Sequence, residues 1–345
     1  MVGQHFVTLL ADHPWFEVVT LAASPASAGK TYMESVSGRW KLNQAIPDSL
    51  KNIRVMAVEN DLEKIAYATD IVFCALDLDK ERTGKLEIAY AQKGIGVVSC
   101  NSAHRWTLDV PMIIPEINPQ HTKLIEIQRK NRGWSKGFIV VKPNCSIQSY
   151  TIIFSALFEF KPLKASIVSL QAISGAGKTF AGWPEMIDNV IPYIRGEEEK
   201  SVREPLKIFA SLEGQKLKLA KEPEISATCI RVPVTDGHMA SVRLSFKNNP
   251  RREDIIEHIK TFKNPIERLN LPTATKQLIH YFPEADRPQT KLDRDLERGM
   301  GIAMGRLEKD TQFDWRFISL SHNTIRGAAG GAILIAELLK KKGYR

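Results

Sequence analysis

The sequence predicts an α/β protein in two parts: a doubly wound parallel-sheet domain, then an α+β domain whose sheet is mainly antiparallel. Three observations predict it. The chain has 345 residues, a length that suits about two domains. Over its first third, short apolar strands alternate with helix-like segments, the pattern of parallel βαβ units. From about residue 137 longer strands of period-two character take over, separated by polar chain and helix.

The elements follow in order. Residues 4–12 read as a short amphipathic helix and residues 16–23 (FEVVTLAA) as a strand. Residues 61–69 are helical, 71–76 (IVFCAL) a buried strand, 80–93 a helix and 96–100 (GVVSC) the next strand. Ligands of such Rossmann-type sheets sit at the carboxyl ends of the strands. A strand at 137–141 leads into a helix-like run at 147–160. Period-two strands follow at 165–173, 228–233, 241–246, 301–307 and 315–321. The last segment, 323–342, reads as a helix whose Gly-Ala-Ala-Gly-Gly start allows close packing and a return to the first domain. The expected boundaries are 1–136 for the dinucleotide-binding domain, completed by 323–345, and 137–322 for the second domain. A doubly wound domain ordinarily opens on a strand and a glycine-rich turn. This chain opens at the helix, with Val2-Gly3 as the tail of that fingerprint, so the domain is expected to be N-terminally truncated.

Composition excludes several classes. With 43% hydrophobic and 25% charged residues the chain can build sizeable cores, unlike a disordered or collagen-like sequence. Its net charge of +9 invites a nucleic-acid reading. The charges alternate in sign, however, and the one tight basic cluster is Lys340, Lys341 and Lys342, so small anionic ligands are expected instead. Cys74, Cys100, Cys145 and Cys229 lie far apart with no CxxC pair, which argues against a disulfide framework or a metal site and fits a reducing cytoplasm. The longest apolar stretch, 327–339, is short and broken by Glu337, so no membrane span is expected; the N-terminus does not read as a signal peptide.

Five motifs carry chemistry. Lys142-Pro143-Asn144-Cys145-Ser146 lies between a strand and a helix-like run. A cysteine at a helix N-terminus is favoured as thiolate; a small buried core cysteine is the other reading, and spacing leaves both open. Cys74 and Cys100 sit inside apolar strands and read as core. In CIRVPVTDGH, Arg231 offers a planar fork for a carboxylate, and His238 can carry a proton. Glu197 and Lys200, in GEEEK, share one helix face, which is otherwise a solvated charged helix start. The glycines of SLQAISGAG permit close backbone approach or merely a turn. Finally, Ser24, Ser27 and Lys30 follow the second strand position of a nucleotide domain, where an acid would bind a ribose hydroxyl; serines and a lysine suit a 2′-phosphate and favour NADP.

Together these segments resemble the archaeal and fungal-like branch of the aspartate-β-semialdehyde dehydrogenases, over essentially the whole chain. ADHPWFEVVTLAAS…SAGK, PNCS, QAISGAG, EEEK, CIRVPVTDGH and HNTIRGAAGGA match in family order. The resemblance implies a Rossmann-type NADP domain and a catalytic and dimerisation domain. It implies that Cys145 attacks the acyl phosphate of L-aspartyl 4-phosphate to form a thioacyl enzyme, which NADPH reduces to the semialdehyde. His238 would be the general acid/base and Gln171 would position the acyl group. Arg231 would hold the substrate carboxylate and Glu197 its ammonium, while Arg105, Asn144 and Lys200 gather the phosphate. Gly3, Ser24, Ser27, Lys30, Ser174, Gly177 and Asn323 would meet the cofactor, and the protein would be a homodimer or homotetramer. Two departures stand out: Met239 where a small residue is usual, and ALDLD after Cys74.

Competing readings are a malonyl-CoA reductase of the same fold, an N-acetyl-glutamyl-phosphate reductase and a truncated, non-catalytic oligomeric homologue. Arg231 with Glu197 and Lys200 favours the aspartyl substrate over the first, and Glu197, as an ammonium-binding acid, speaks mildly against the second. The third loses ground to the complete Cys145, Arg231 and His238 set.

Overall fold

Apolar runs without alternation make strands that are buried on both faces, and the first part of the chain is built from them. The computed structural model describes residues 1–345. The chain divides into two units: Met1–Ile113, Gln120–Lys142 and Ala332–Arg345 form the first, Ile114–Pro119 and Pro143–Gly331 the second.

In the first unit, β1 (Ala22–Ala23) pairs in parallel with β2 (Met56–Ala57). Strands β3 (Ile71–Cys74), β4 (Gly96–Ser99) and β5 (Phe138–Val141) form a parallel sheet in that order. Every residue of β4 and β5 is buried, against the helices Lys80–Gln92 and Leu124–Arg132. The first of these helices starts where the Asp79 carboxylate accepts the Arg82 N–H at 2.8 Å, and the second stops at Gly133 in the left-handed conformation. The strand expected over residues 16–23 survives only at Ala22–Ala23, because the ladder has just Met56–Ala57 to pair with. Phe16 instead packs edge-on against Phe73, on which Phe6 stacks at 4.8 Å.

In the second unit the period-two pattern becomes a six-stranded mixed sheet. Its strands are β6 (Pro162–Gln171), β9 (Glu224–Arg231), β10 (His238–Phe246), β11 (Ile279–Phe282), β12 (Ile302–Lys309) and β13 (Trp315–Ser321); β7 (Ser211–Glu213) and β8 (Lys216–Lys218) form a separate hairpin. The order is β11-β12-β13-β10-β6-β9, antiparallel at the centre and parallel at both outer pairs. Along β10 every second residue is buried, from His238 to Phe246. The helix Gln148–Ala156 is buried almost throughout and packs on β10, β12 and β13.

The final helix is Ala329–Lys341, shorter than the expected 323–342. Residues 323–328 form turns, with the Gly327 and Ala329 N–H groups donating to the His322 and Thr324 carbonyls. No helix is long and apolar enough to cross a membrane.

Candidate active site

Strand register assembles the site in the second unit. Gln171 ends β6 and pairs with Arg231, which ends β9. Strand β10 runs the other way, so its first residue, His238, lies beside the end of β6, one step beyond the Met239–Leu170 pair. Three chemically able side chains from distant parts of the sequence therefore meet at one end of three neighbouring strands. Each is buried, at 1% exposure for Gln171 and His238 and 6% for Arg231.

Cys145 sits in the turn before the helix Gln148–Ala156, and its carbonyl accepts the Gln148 N–H at 3.4 Å. It precedes the first helical residue rather than occupying the first turn, so the turn's own geometry holds it. The Asn144 side-chain oxygen accepts both the Ser146 N–H (2.8 Å) and hydroxyl (2.7 Å), closing that turn. Behind it stands Gly327: a Cβ there would come within 2.6 Å of the Cys145 Cβ and drive into the Asn323 carbonyl. Only glycine lets the 323–328 turns back onto the cysteine. Cys145 is half-buried.

Charge and proton positions follow from the neighbours. Burial pulls the Arg231 guanidinium below its usual pKa, and negative charge on Cys145 and Glu197 works against that pull. Its Nη1 donates to the Ala172 carbonyl at 2.6 Å. The Ala172 N–H donates to His238 Nδ1 at 3.1 Å. An amide N–H can only donate, so in the neutral ring the proton sits on Nε2. That Nε2 is buried and has no protein partner. Burial first, then the charge of Arg231, pushes the His238 pKa down to about 3, so the ring is neutral at physiological pH. Gly175 lies against both groups; a Cβ would meet Arg231 Nη1 at 2.8 Å and the His238 ring at 3.0 Å.

The helix Glu197–Ile208 supplies the acids. Glu197 accepts from Asn144 Nδ2 (3.0 Å), Lys200 Nζ (2.7 Å) and Gln171 Nε2 (3.3 Å). Asn323 joins two loops, donating to the Ser174 hydroxyl at 2.8 Å and accepting the Gly237 N–H at 2.8 Å. Gly177, in the left-handed conformation, closes the short turn that begins at Ile173.

The remaining cysteines are different. Burial pushes Cys229 and Cys100 up to about 11, and burial with the Glu87 carboxylate raises Cys74 well above the ordinary thiol value. Cys74 ends β3 and is buried, as the core reading expects, whereas Cys100 lies one residue beyond β4 and is half-buried.

The other expected residues belong to the first unit. Arg105 is buried, donating from Nε to the Lys142 carbonyl and from Nη2 to the Cys100 carbonyl, both at 3.1 Å; it bridges the carboxyl ends of β4 and β5. Gly3 is exposed in the first turn of the helix Val2–Leu10, with open space where a Cβ would be. Ser24 and Lys30 are exposed and Ser27 is buried, on the loop that leaves β1. Arg54, which sequence reasoning missed, donates to the Gly29 carbonyl at 2.8 Å and adds a second cation to this loop. The nearby Glu34 carboxylate, though exposed, accepts the Thr31 N–H and hydroxyl in a capping box. A loop with two cations, an exposed serine and its one acid occupied fits a 2′-phosphate. A second omission is Glu204, fully buried, which accepts the Asn144 backbone N–H at 2.6 Å. No motif marks either residue; only folding brings them to the loops they serve.

Two family models match the chain: semialdehyde dehydrogenase, NAD binding domain, over residues 1–125, and semialdehyde dehydrogenase, dimerisation domain, over residues 154–326. The aspartate-semialdehyde dehydrogenase of Archaeoglobus fulgidus is 42% identical over 344 residues, covering 99% of this chain and 96% of that protein. That of Aspergillus fumigatus is 41% identical over 355 residues, covering 99% and 95%. The crystal structure of aspartate semialdehyde dehydrogenase with NADP from Candida albicans matches with a TM-score of 0.87 at 36% identity, covering 99% of this chain and 96% of that one.

Proposed function

The chain belongs to the aspartate-semialdehyde dehydrogenase family, and from that premise we propose how its own residues divide the work. It is an NADP-dependent oxidoreductase that converts L-aspartyl 4-phosphate to L-aspartate 4-semialdehyde, and the reverse, in lysine, threonine and methionine biosynthesis. The first unit holds the cofactor and the second carries the acyl chemistry.

In this reading the Cys145 sulfur attacks the acyl carbon, the carbon–oxygen bond to phosphate breaks, and a thioester forms. NADPH, when bound, supplies the hydride that reduces this thioester to the aldehyde. Arg231 holds the substrate carboxylate with the guanidinium nitrogens not spent on Ala172. Glu197 takes the ammonium, exchanging its contact with Lys200, which together with Arg105 and Asn144 receives the phosphate. His238 donates from Nε2 to the acyl oxygen as negative charge develops there, and Gln171 orients the acyl group. Ser24, Ser27 and Lys30 take the 2′-phosphate, with Gly3, Ser174, Gly177 and Asn323 as further cofactor contacts; Arg54 strengthens the cationic loop.

The observation that supports this most is the half-buried Cys145 within electrostatic range of Arg231, which is itself beside the unpartnered Nε2 of His238. Self-association as a homodimer or homotetramer belongs to the proposal; the match to a dimerisation-domain model supports it, and sedimentation velocity tests it. A cytoplasmic location is supported by four cysteines that stand as thiols. The deciding assay follows NADP reduction with aspartate semialdehyde plus phosphate, beside NADPH oxidation with malonyl-CoA. Turnover with the first is expected. Turnover with malonyl-CoA alone refutes the substrate, because nothing in that molecule answers the acid of Glu197.

A further inference from the structure

Glu204 takes no part in the chemistry above, yet it is a carboxylate with no exposed surface. Burying a charge is costly, and it persists where the charge is given specific donors. One such donor is the backbone N–H of Asn144, at 2.6 Å, the residue immediately before Cys145. The same helix, Glu197–Ile208, reaches the nucleophile's turn at two further points. Glu197 accepts from the Asn144 side chain at 3.0 Å, and the Ser201 hydroxyl lies 3.4 Å from that of Ser146. Residues 197, 201 and 204 fall on one helical stripe. The helix also grips β9, where the Glu198 carboxylate accepts the Cys229 N–H at 3.2 Å, two residues before Arg231. One rigid element thus ties the turn that carries the sulfur to the strand that carries the guanidinium.

From this geometry we propose that Glu204 is a positioning residue for Cys145, acting through the Asn144 backbone. Asn144 holds the turn closed with its side chain, and Glu204 fixes where the closed turn sits. The sulfur then meets the acyl carbon at a set distance, while substrate is held by Arg231 and Glu197. The role follows from the reach of the acceptor oxygen, not from its charge.

The inference rests on Cys145 being the nucleophile, and two substitutions separate reach from charge. Glu204→Asp keeps the charge and withdraws the oxygen by about one carbon–carbon bond, ~1.5 Å. Glu204→Gln keeps the reach and removes the charge. Steady-state kinetics with aspartate semialdehyde, phosphate and NADP provide the readout, with thermal melts as the folding check. We expect kcat of Glu204→Asp to fall on the order of 10- to 100-fold, as misplacement by about 1 Å does, with KM for semialdehyde within about threefold. Glu204→Gln is expected to recover most of the parent kcat. An Asp variant at parental kcat overturns the proposal, as does one whose loss lies in KM. A Gln variant reduced as far as the Asp variant, or reduced tenfold when the Asp variant does not fold, overturns it too. An inactive parent overturns the assignment of Cys145 as well; an active parent with an unaffected Asp variant overturns only the role of Glu204.

Discussion

Cys74 and Cys145 both lie at or shortly beyond the end of a strand of the parallel three-stranded sheet, although they belong to different units. One ends β3, and the other sits in the turn that follows β5. Their surroundings are opposite in sign. Cys74 is buried beside the Glu87 carboxylate, whose oxygen accepts the Ser99 hydroxyl, and the Asn101 amide donates to its sulfur at 3.3 Å. Burial first, and then that negative charge, oppose ionisation of the thiol. Cys145 is half-buried, in electrostatic range of the Arg231 guanidinium. On the proposed roles, closeness to a strand end does not separate the two thiols; charge and exposure do. A thiol's reactivity follows its neighbouring charges and its exposure.

The largest expected effect tests the reactive side. Cys145→Ala should remove turnover by at least about 10⁴-fold, while NADP binding, followed by fluorescence titration, persists. Turnover near the parental level would erase the distinction between the two thiols. Next comes the cation that makes the difference. Arg231→Lys keeps a positive charge but loses the fork, and KM for semialdehyde should rise about 100-fold with the fold intact by circular dichroism. An unchanged KM would take Arg231 away from the substrate carboxylate.

A pH effect sharpens the contrast further. The His238 pKa is about 3 in the fold and about 6.5 in an unfolded chain. Between those values the unfolded state binds the extra proton, so stability is complete above about pH 6.5 and is lost as pH falls toward 3. The contribution is on the order of a few kcal/mol. Urea midpoints measured from pH 7 to pH 4 should fall less steeply for His238→Gln than for the parent. Parallel slopes would mean that the histidine is not desolvated as its burial requires. The smallest effect belongs to the inert side: Cys74→Ser should leave kcat within about twofold, because the thiol touches none of the reacting groups. A tenfold loss would make the first-unit thiol part of the machinery.

Much of the fold was legible because burial leaves a periodic trace. GVVSC and IVFCAL are continuous apolar runs, and they become the fully or partly buried strands β4 and β3. WRFISLS alternates and becomes β13 at the expected bounds. The strand at 16–23 and the helix at 323–342 were less legible. The first was limited by the length of its partner. In the second, Asn323 is held by Gly237 and Ser174, and the helix waits until Ala329. Among the candidate site residues, the motif-bearing ones could be named from sequence because each has a distinctive neighbourhood there. Glu204 and Arg54 were not, since a single acid on a charged helix and a single arginine in a loop carry no local mark.

Taken alone, the order of residues determined the two-part architecture, the cofactor class and which side chains are chemically able, because periodicity, turn chemistry and side-chain type are local properties. Tertiary structure decided the rest. The pairing of Gln171 with Arg231, the seating of His238 beside them, the proton on its Nε2 and the buried carboxylate behind Asn144 all depend on strand register and helix docking. Those relations join residues tens of positions apart, and only closing the chain on itself brings their atoms within hydrogen-bond distance.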